Sequence, residues 1–504
     1  MALRVALCLL WAASAAAHRG ARLPRDLGEQ FFVNRLAAET PAKRLSTPQL
    51  TENVIMLEKG NGSSLSSMYV NAIRAQAAGE NGIYSRLQVS FVALPPFSQT
   101  DRSVVQTGNV EMMAIAGGSV FLAPVTVGGQ QFYVVIDTGS SDPWLADKDF
   151  TCIDPTTDLE IEEQYCYFGP LYDKTASPTF QTLPDRSLNL SYADGETLNG
   201  LMGRDAFTMG GITFDAQEFG MVDYAAWYGD GVSSGLIGFA YRTLTSMYPG
   251  EDPKKAVAGK AFKYNPFFDN LYRNNITAPV FSMALTRDPN RTGQGGVMAL
   301  GGIPDIPYAP TWISSPILPV GINGSSGEIN YQFYTVTVDG FSISSDQGAQ
   351  FASIPEARRN PRKTALRGPR DPKNANSSSV NAIVDSGTTL VYLNDELADA
   401  VAKAFDPPGG LDEELGLYTI PCGAKPPIFG ASIGGKVFNV NPEDMVLQIN
   451  QDTCMSGIQG NHGGLWILGD VWMKAVLCVF DIGASRMGFA GRQYYDLTWD
   501  AQRY

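Results

Sequence analysis

The sequence predicts an all-β protein built as two related halves. Three observations point there. Val135-Ile136-Asp137-Thr138-Gly139-Ser140 is echoed, 248 residues later, by Ile383-Val384-Asp385-Ser386-Gly387-Thr388. Each copy ends an apolar, β-prone run on one Asp, followed by a hydroxyl, a Gly and a second hydroxyl. The 52 Gly and 31 Pro are scattered along 504 residues, which suits many short strands joined by turns better than long helices. Apolar content of 44% against 17% charged residues is that of a folded, core-forming chain. The length allows one large two-lobed unit or two to three domains.

In chain order, the N-terminus reads as a secretory signal over residues 1–17. Arg4 supplies positive charge, Val5 to Trp11 the apolar stretch, and Ala15-Ala16-Ala17 the small residues before a cut near His18. That apolar run is too short to span a bilayer. Residues 18–102 carry few strand signals and include the dibasic pair Lys43-Arg44. They read as a pro-segment, with Arg102 a second candidate cut point. Strand-like sequence starts near Val110. Val120 to Val127, the Gly128-Gly129 turn and Gln131 to Asp137 form an alternating hairpin that ends on the first Asp. Strand signals recur at Leu188 to Gly200, Gly203 to Phe214 and Val297 to Gly302. Helices are expected at Pro266 to Asn275 and Glu396 to Phe405.

The repeat extends past the tetrads. Gly235-Leu236-Ile237-Gly238-Phe239 follows the first Asp, and Trp466-Ile467-Leu468-Gly469-Asp470 follows the second. Each half thus holds an Asp-hydroxyl-Gly turn and a later apolar-apolar-Gly strand, where Gly permits close backbone approach. Seven Lys/Arg between Glu356 and Lys373 break the pattern. They read first as a solvated surface insertion and second as a cleavable loop giving a two-chain product.

Six Cys fit an exported protein. Cys8 leaves with the signal. Cys152 and Cys166 bracket a short loop and Cys422 and Cys454 a longer one, which leaves Cys478 as a buried free thiol. Sequons at Asn61, Asn189, Asn275, Asn290, Asn323 and Asn376 agree with secretion. The C-terminus is polar and aromatic, without the apolar tail of a lipid-anchor signal, so no membrane anchor is expected. Net charge is −14, which argues against nucleic acid as a partner. Residues 1–100 hold ten Lys/Arg against six Asp/Glu, so the negative excess lies in the body. An acidic body under a basic front segment suits work at low pH.

The chemistry narrows by residue type. His18 and His462 are the two histidines, so a Ser-His-Asp triad would need His462, and no Gly-x-Ser-x-Gly elbow accompanies it. Zinc sites of the HExxH kind and nucleotide-binding fingerprints are absent, and neither metal nor cofactor is expected. Two carboxylates remain. Paired closely, they cannot both ionise cheaply, so they share a proton. One can then take a proton from water while the other hydrogen-bonds a scissile carbonyl. Thr138 and Ser386 can brace the turns, Ser140 and Thr388 can bond the outer carboxylate oxygens, and Gly139 and Gly387 allow the tight backbone. Each Asp alone could be a mere turn cap; the duplication favours the pair.

These motifs resemble the pepsin-family aspartic endopeptidases, and among them the secreted fungal branch. The likeness covers about Val110 to Ala490. It rests on Asp137 to Ser141 with Trp144 after it, Asp385 to Thr388, and Trp466 to Asp470 followed by Val479-Phe480-Asp481 and Gly488-Phe489-Ala490. It implies two pseudo-symmetric lobes, about 103–315 and 316–504, with a central cleft. It implies Asp137 and Asp385 as catalytic residues of a monomeric, secreted acid endopeptidase acting on protein or peptide substrates and restrained by its own pro-segment. By the same likeness Leu188 to Gly200 is the flap, with Tyr192 closing over substrate and bonding toward Trp144. Tyr192 and Leu236 would favour large apolar side chains at the scissile bond, and Asp194 would attract Lys there. The chain departs from the family pattern at Ala193, where Gly is common, at Pro143, at Ser386, in the longer Cys152–Cys166 loop and in the basic insertion. A catalytically silent pepsin-like binding protein is the alternative of a different class.

Overall fold

A computed structural model describes residues 106–115, 118–155, 157–192, 195–257, 259–286, 293–309, 311–322, 329–344, 350–352, 379–449 and 453–492. The signal and pro-segment, the basic stretch 356–373, Asp194 and the sequons at Asn61, Asn290, Asn323 and Asn376 lie outside the described residues.

The expected all-β, two-lobed class holds. Among the described residues, thirteen strands form in the first part of the chain: β1 (Gly108–Ile115), β2 (Val120–Val127), β3 (Gln130–Asp137), β4 (Pro143–Ile153), β5 (Glu160–Ile161), β6 (Gln181–Ser191), β7 (Thr197–Met209), β8 (Ile212–Ala226), β9 (Gly235–Gly238), β10 (Met247–Pro249), β11 (Val280–Leu285), β12 (Gly293–Leu300) and β13 (Trp312–Pro316). The turn between β7 and β8 is made by Gly210 and Gly211, at φ +58° and +78°, which side chains with a Cβ adopt only with strain. Both expected helices form against the strands. Phe267–Arg273 follows Pro266, and its Phe267, Phe268 and Leu271 are buried. Asp395–Lys403 begins one residue before the expected start, because the Asn394 side chain caps it by accepting from the Leu397 N–H at 3.2 Å.

One 15-stranded sheet carries both ends of the described chain. Its order runs β10-β6-β7-β8-β4-β9-β3-β2-β1-β12-β11, then Val476–Asp481, Arg486–Gly491 and β13, with β5 on β4. The late strands therefore pair with β11, and the two halves share a continuous backbone ladder (Phe281 opposite Phe480). Phe281 and Phe480 stack at 4.4 Å, with Tyr334 edge-on to Phe480 at 4.7 Å. Burying each such ring contributes about 2–3 kcal/mol. The remaining long-chain strands make a five-stranded sheet, two four-stranded sheets and a two-stranded one.

The duplication seen in sequence is a duplication of backbone geometry. β9 lies parallel to β3, ending on the pair Asp137–Gly238, and antiparallel to β4. In the second half Ile467–Leu468 lies parallel to Val380–Val384 and antiparallel to Val391–Leu393. A Cβ on Gly238 would overlap the backbone of Ser140 and Ser141, and one on Gly469 the carbonyls of Thr388 and Leu390. Glycine is required at both places so that the inserted strand can pass the Asp turn.

Cys152 is bonded to Cys166 and Cys422 to Cys454, while Cys478 is a buried free thiol. Among the described residues no helix is long and apolar enough to cross a membrane.

Candidate active site

Asp137 closes β3 and Asp385 follows the strand Val380–Val384, so each carboxyl emerges where an apolar strand ends. The parallel neighbour strands fix both turns by backbone bonds. The Phe239 N–H donates to the Asp137 carbonyl at 2.7 Å, and the Asp385 N–H to the Leu468 carbonyl at 3.1 Å.

The two turns interlock with pseudo-two-fold symmetry. Thr138 Oγ1 donates to the Val384 carbonyl at 3.1 Å and accepts from the Ser386 N–H at 2.9 Å. Ser386 Oγ donates to the Ile136 carbonyl at 2.8 Å and accepts from the Thr138 N–H at 3.2 Å. Each hydroxyl thus satisfies one buried donor and one buried acceptor of the opposite half. Thr389 Oγ1 adds a bond across the halves to the Ser119 carbonyl at 2.7 Å.

The carboxyls are held in matching ways. Asp137 accepts from the Gly139 N–H at 2.7 Å and from Ser140 Oγ at 2.5 Å. Asp385 accepts from the Gly387 N–H at 2.9 Å and from Thr388 Oγ1 at 2.7 Å. Both are buried, and the charge of Asp385 acts directly on Asp137. A Cβ on Gly139 would strike the Asp385 carboxyl, and one on Gly387 the Asp137 carboxyl, so the glycines leave room for the pair. Burial first, and then the charge of Asp385, push the Asp137 carboxyl well above the usual range, against the pull of Ser140 and Gly139. Such a pair can hold one proton between two otherwise equivalent acids.

Over this floor sits an aromatic group. Trp144 is 1% exposed, and its Nε1–H donates to the Tyr192 hydroxyl at 2.8 Å. Tyr192 follows β6 in the β6–β7 hairpin, and burial, then the nearby Asp137 charge, keep its phenol protonated far above the usual range. Trp227 packs edge-on against both, at 5.1 Å from Trp144 and 5.9 Å from Tyr192, and Phe168 stacks on Trp227. Leu236 lies between Val135 and Trp144 in the ladder and belongs to the same apolar cluster. The disulfide-bonded Cys166 anchors this cluster from behind. His462 stands elsewhere, its Nδ1 3.3 Å from Asp395 at the start of a helix.

Sequence reasoning did not single out Trp227, Phe168, Tyr264 or Asp142 beside this site. The three aromatics lie far apart along the chain, and nothing in their flanking residues marks them. Asp142 was visible within the motif, but its burial and its partners are tertiary facts.

Comparisons with known proteins point to one family. A model of the eukaryotic aspartyl protease family matches residues 120–492. A probable aspartic-type endopeptidase of Aspergillus fumigatus is 36% identical over 396 residues, covering 77% of this chain and 82% of that protein. Aspergillopepsin-1 of Aspergillus oryzae is 26% identical over 399 residues, covering 78% and 84%. Rhizopuspepsin of Rhizopus chinensis is 27% identical over 391 residues, covering 76% and 81%.

Proposed function

The chain belongs to the eukaryotic aspartyl protease family and is an aspartic-type endopeptidase; we propose that it is a secreted acid protease whose Asp137 and Asp385 activate a water. The observation that carries this reading is the carboxyl pair itself: buried, each packed against the other's glycine, and braced symmetrically by Thr138 and Ser386.

In this mechanism the pair carries one proton, shared between the two carboxyls before substrate binds. The ionised partner takes a proton from water as the oxygen attacks the scissile carbonyl carbon. The protonated partner gives its proton to the carbonyl oxygen, leaving a neutral tetrahedral diol. One carboxyl then gives its proton to the amide nitrogen while the other takes a proton from a diol hydroxyl, so the C–N bond breaks to a carboxylic acid and an amine and the pair returns to its starting charge. No acyl-enzyme forms. Thr138, Ser386, Gly139, Gly387, Ser140 and Thr388 keep the carboxyls oriented. Tyr192 closes over the substrate from the β6–β7 hairpin, held by Trp144, and Leu236 with Tyr192 offers an apolar wall to large side chains. Asp194 would draw Lys to the same subsite.

The maturation pathway follows from the sequence. Residues 1–17 direct export and 18–102 cover the acidic cleft until low pH weakens their contact. The catalytic body, working as a monomer, then comprises lobes near 103–315 and 316–504. Of the described sequons, Asn275 is exposed just past a helix end, whereas the Asn189 side-chain amide is half-buried and donates to the Pro253 carbonyl at 3.0 Å. Asn275 is the better glycan acceptor of the two.

The test is cleavage of denatured haemoglobin between about pH 3 and about pH 7 after acid maturation, for wild type and Asp137→Asn. Acid-optimal, pepstatin-sensitive cleavage that the substitution abolishes is the expected result. A matured wild type that binds peptides without cleaving them would instead support a silent binding protein.

A further inference from the structure

Asp142 has no task in the chemistry above, yet it is among the most buried carboxylates near the site, at 3% exposure. Its Oδ1 accepts two hydrogen bonds, from the Ser246 N–H at 2.8 Å and from the Tyr264 hydroxyl at 2.6 Å. Both donors belong to the support of the hairpin that carries Tyr192. Ser246 immediately precedes β10, whose Met247 pairs with Leu188 of β6. The Tyr264 N–H bonds Thr245 Oγ1 at 3.2 Å, and the Phe262 N–H bonds the Met247 carbonyl at 2.7 Å, so segments 245–247 and 262–264 are tied together. Leu188, Met247, Tyr264 and Trp144 share the apolar cluster on which Tyr192 packs. On its other side the Asp142 carbonyl accepts from the Gly238 N–H at 3.3 Å, beside the Asp137 turn.

One stretch of chain therefore holds the hairpin at two points. Trp144 bonds the Tyr192 hydroxyl near the tip, and Asp142 grips the outer edge through β10. We propose that Asp142 is a positioning residue that sets the β6–β7 hairpin, and with it Tyr192, over the carboxyl pair. The inference rests on the reading that Asp137 and Asp385 perform the chemistry and that Tyr192 closes over substrate.

The charged and titratable groups that act on Asp142 or feel it are Lys263 and Tyr264 from the segment before the helix and Tyr192 from the hairpin. Lys263 Nζ itself donates to the Thr245 carbonyl at 2.7 Å, within the same tied segment. Burial lifts the Asp142 carboxyl to about 6, with the Tyr264 and Ser246 bonds and Lys263 opposing. In acid the grip is thus made by a neutral carboxyl, whose carbonyl oxygen accepts both bonds. An amide oxygen can do the same at every pH.

The experiment compares Asp142→Ala, Asp142→Asn, Tyr264→Phe and Asp137→Asn in the full-length, acid-matured protein, with circular dichroism and thermal melts as folding controls. Losing two buried hydrogen bonds in Asp142→Ala should lower kcat/KM roughly tenfold, mainly through KM. Asp142→Asn should restore most of that loss. Tyr264→Phe, which keeps the ring, should raise KM by about threefold, and it stands in if Asp142→Ala does not fold. Wild-type KM in Asp142→Ala or in Tyr264→Phe overturns the inference, as does a folded Asp142→Asn no better than Asp142→Ala. An active Asp137→Asn would sink the underlying dyad reading instead, whatever the Asp142 variants do.

Discussion

Replacing Thr138 by Val keeps the shape of a fully buried side chain and deletes one hydroxyl. That hydroxyl donates to the Val384 carbonyl and accepts from the Ser386 N–H, so the change removes two bonds that join the halves. The Ser386 Oγ bonds to Ile136 and to the residue-138 N–H can remain. At about 1–3 kcal/mol for each buried polar group left without its partner, Thr138→Val should cost about 2–6 kcal/mol. For a lobe-sized unit that is a fall in Tm of about 5–15 °C. Thr138→Ser keeps the hydroxyl and should lose much less. Ser386→Ala removes the complementary pair of bonds, and because the four bonds share one interlocked geometry, the double variant should deviate from additivity by about 0.5–3 kcal/mol. Urea unfolding of the matured protein near its acid optimum, followed by fluorescence and activity together, measures all four corners. A Thr138→Val protein within about 0.5 kcal/mol of wild type would refute the claim that the interlock bears load between the halves.

Stability should fall as the solution approaches neutrality. Asp142 and Asp481 are both raised to about 6, chiefly by burial, from an ordinary value of 3.8. A raised folded-state pKa favours folding fully below 3.8, and that contribution is lost as pH climbs through about 6. Each group accounts for about 3 kcal/mol across that window, and calorimetry at acid and neutral pH should show Tm dropping, less so in Asp481→Asn. A Tm that rises toward neutral pH would contradict the burial argument. Tyr192→Phe keeps the packing on Trp227 and leaves the buried Trp144 Nε1–H without its acceptor. Its kcat/KM should fall about fivefold to tenfold at every pH in a peptide assay; an unchanged value would separate Tyr192 from catalysis. Asp194→Ala should lower cleavage after Lys and spare cleavage after Phe, and equal loss on both substrates would remove Asp194 from the specificity pocket.

Local chemistry made much of this protein legible from its residues. The two Asp-hydroxyl-Gly tetrads lie at the ends of β-prone runs, and strand alternation with Gly-rich turns needs only near neighbours to read. The second apolar-apolar-Gly strands were visible for the same reason, since Gly238 and Gly469 sit where any Cβ would overlap the Asp turns. Helix starts depended on a cap, and Asn394 moved one of them by a residue. What local sequence could not specify is how distant segments meet. The exchange of hydrogen bonds between Thr138 and Ser386, the Trp227–Phe168 backing of Tyr192, and the grip of Asp142 on Ser246 and Tyr264 all join residues far apart in the chain. So does the shared sheet, where β11 pairs with Val476–Asp481. Proton affinities belong to the same level: Asp137 and Asp142 share one short turn-and-strand segment, but burial and partners from elsewhere in the chain decide what each carboxyl does.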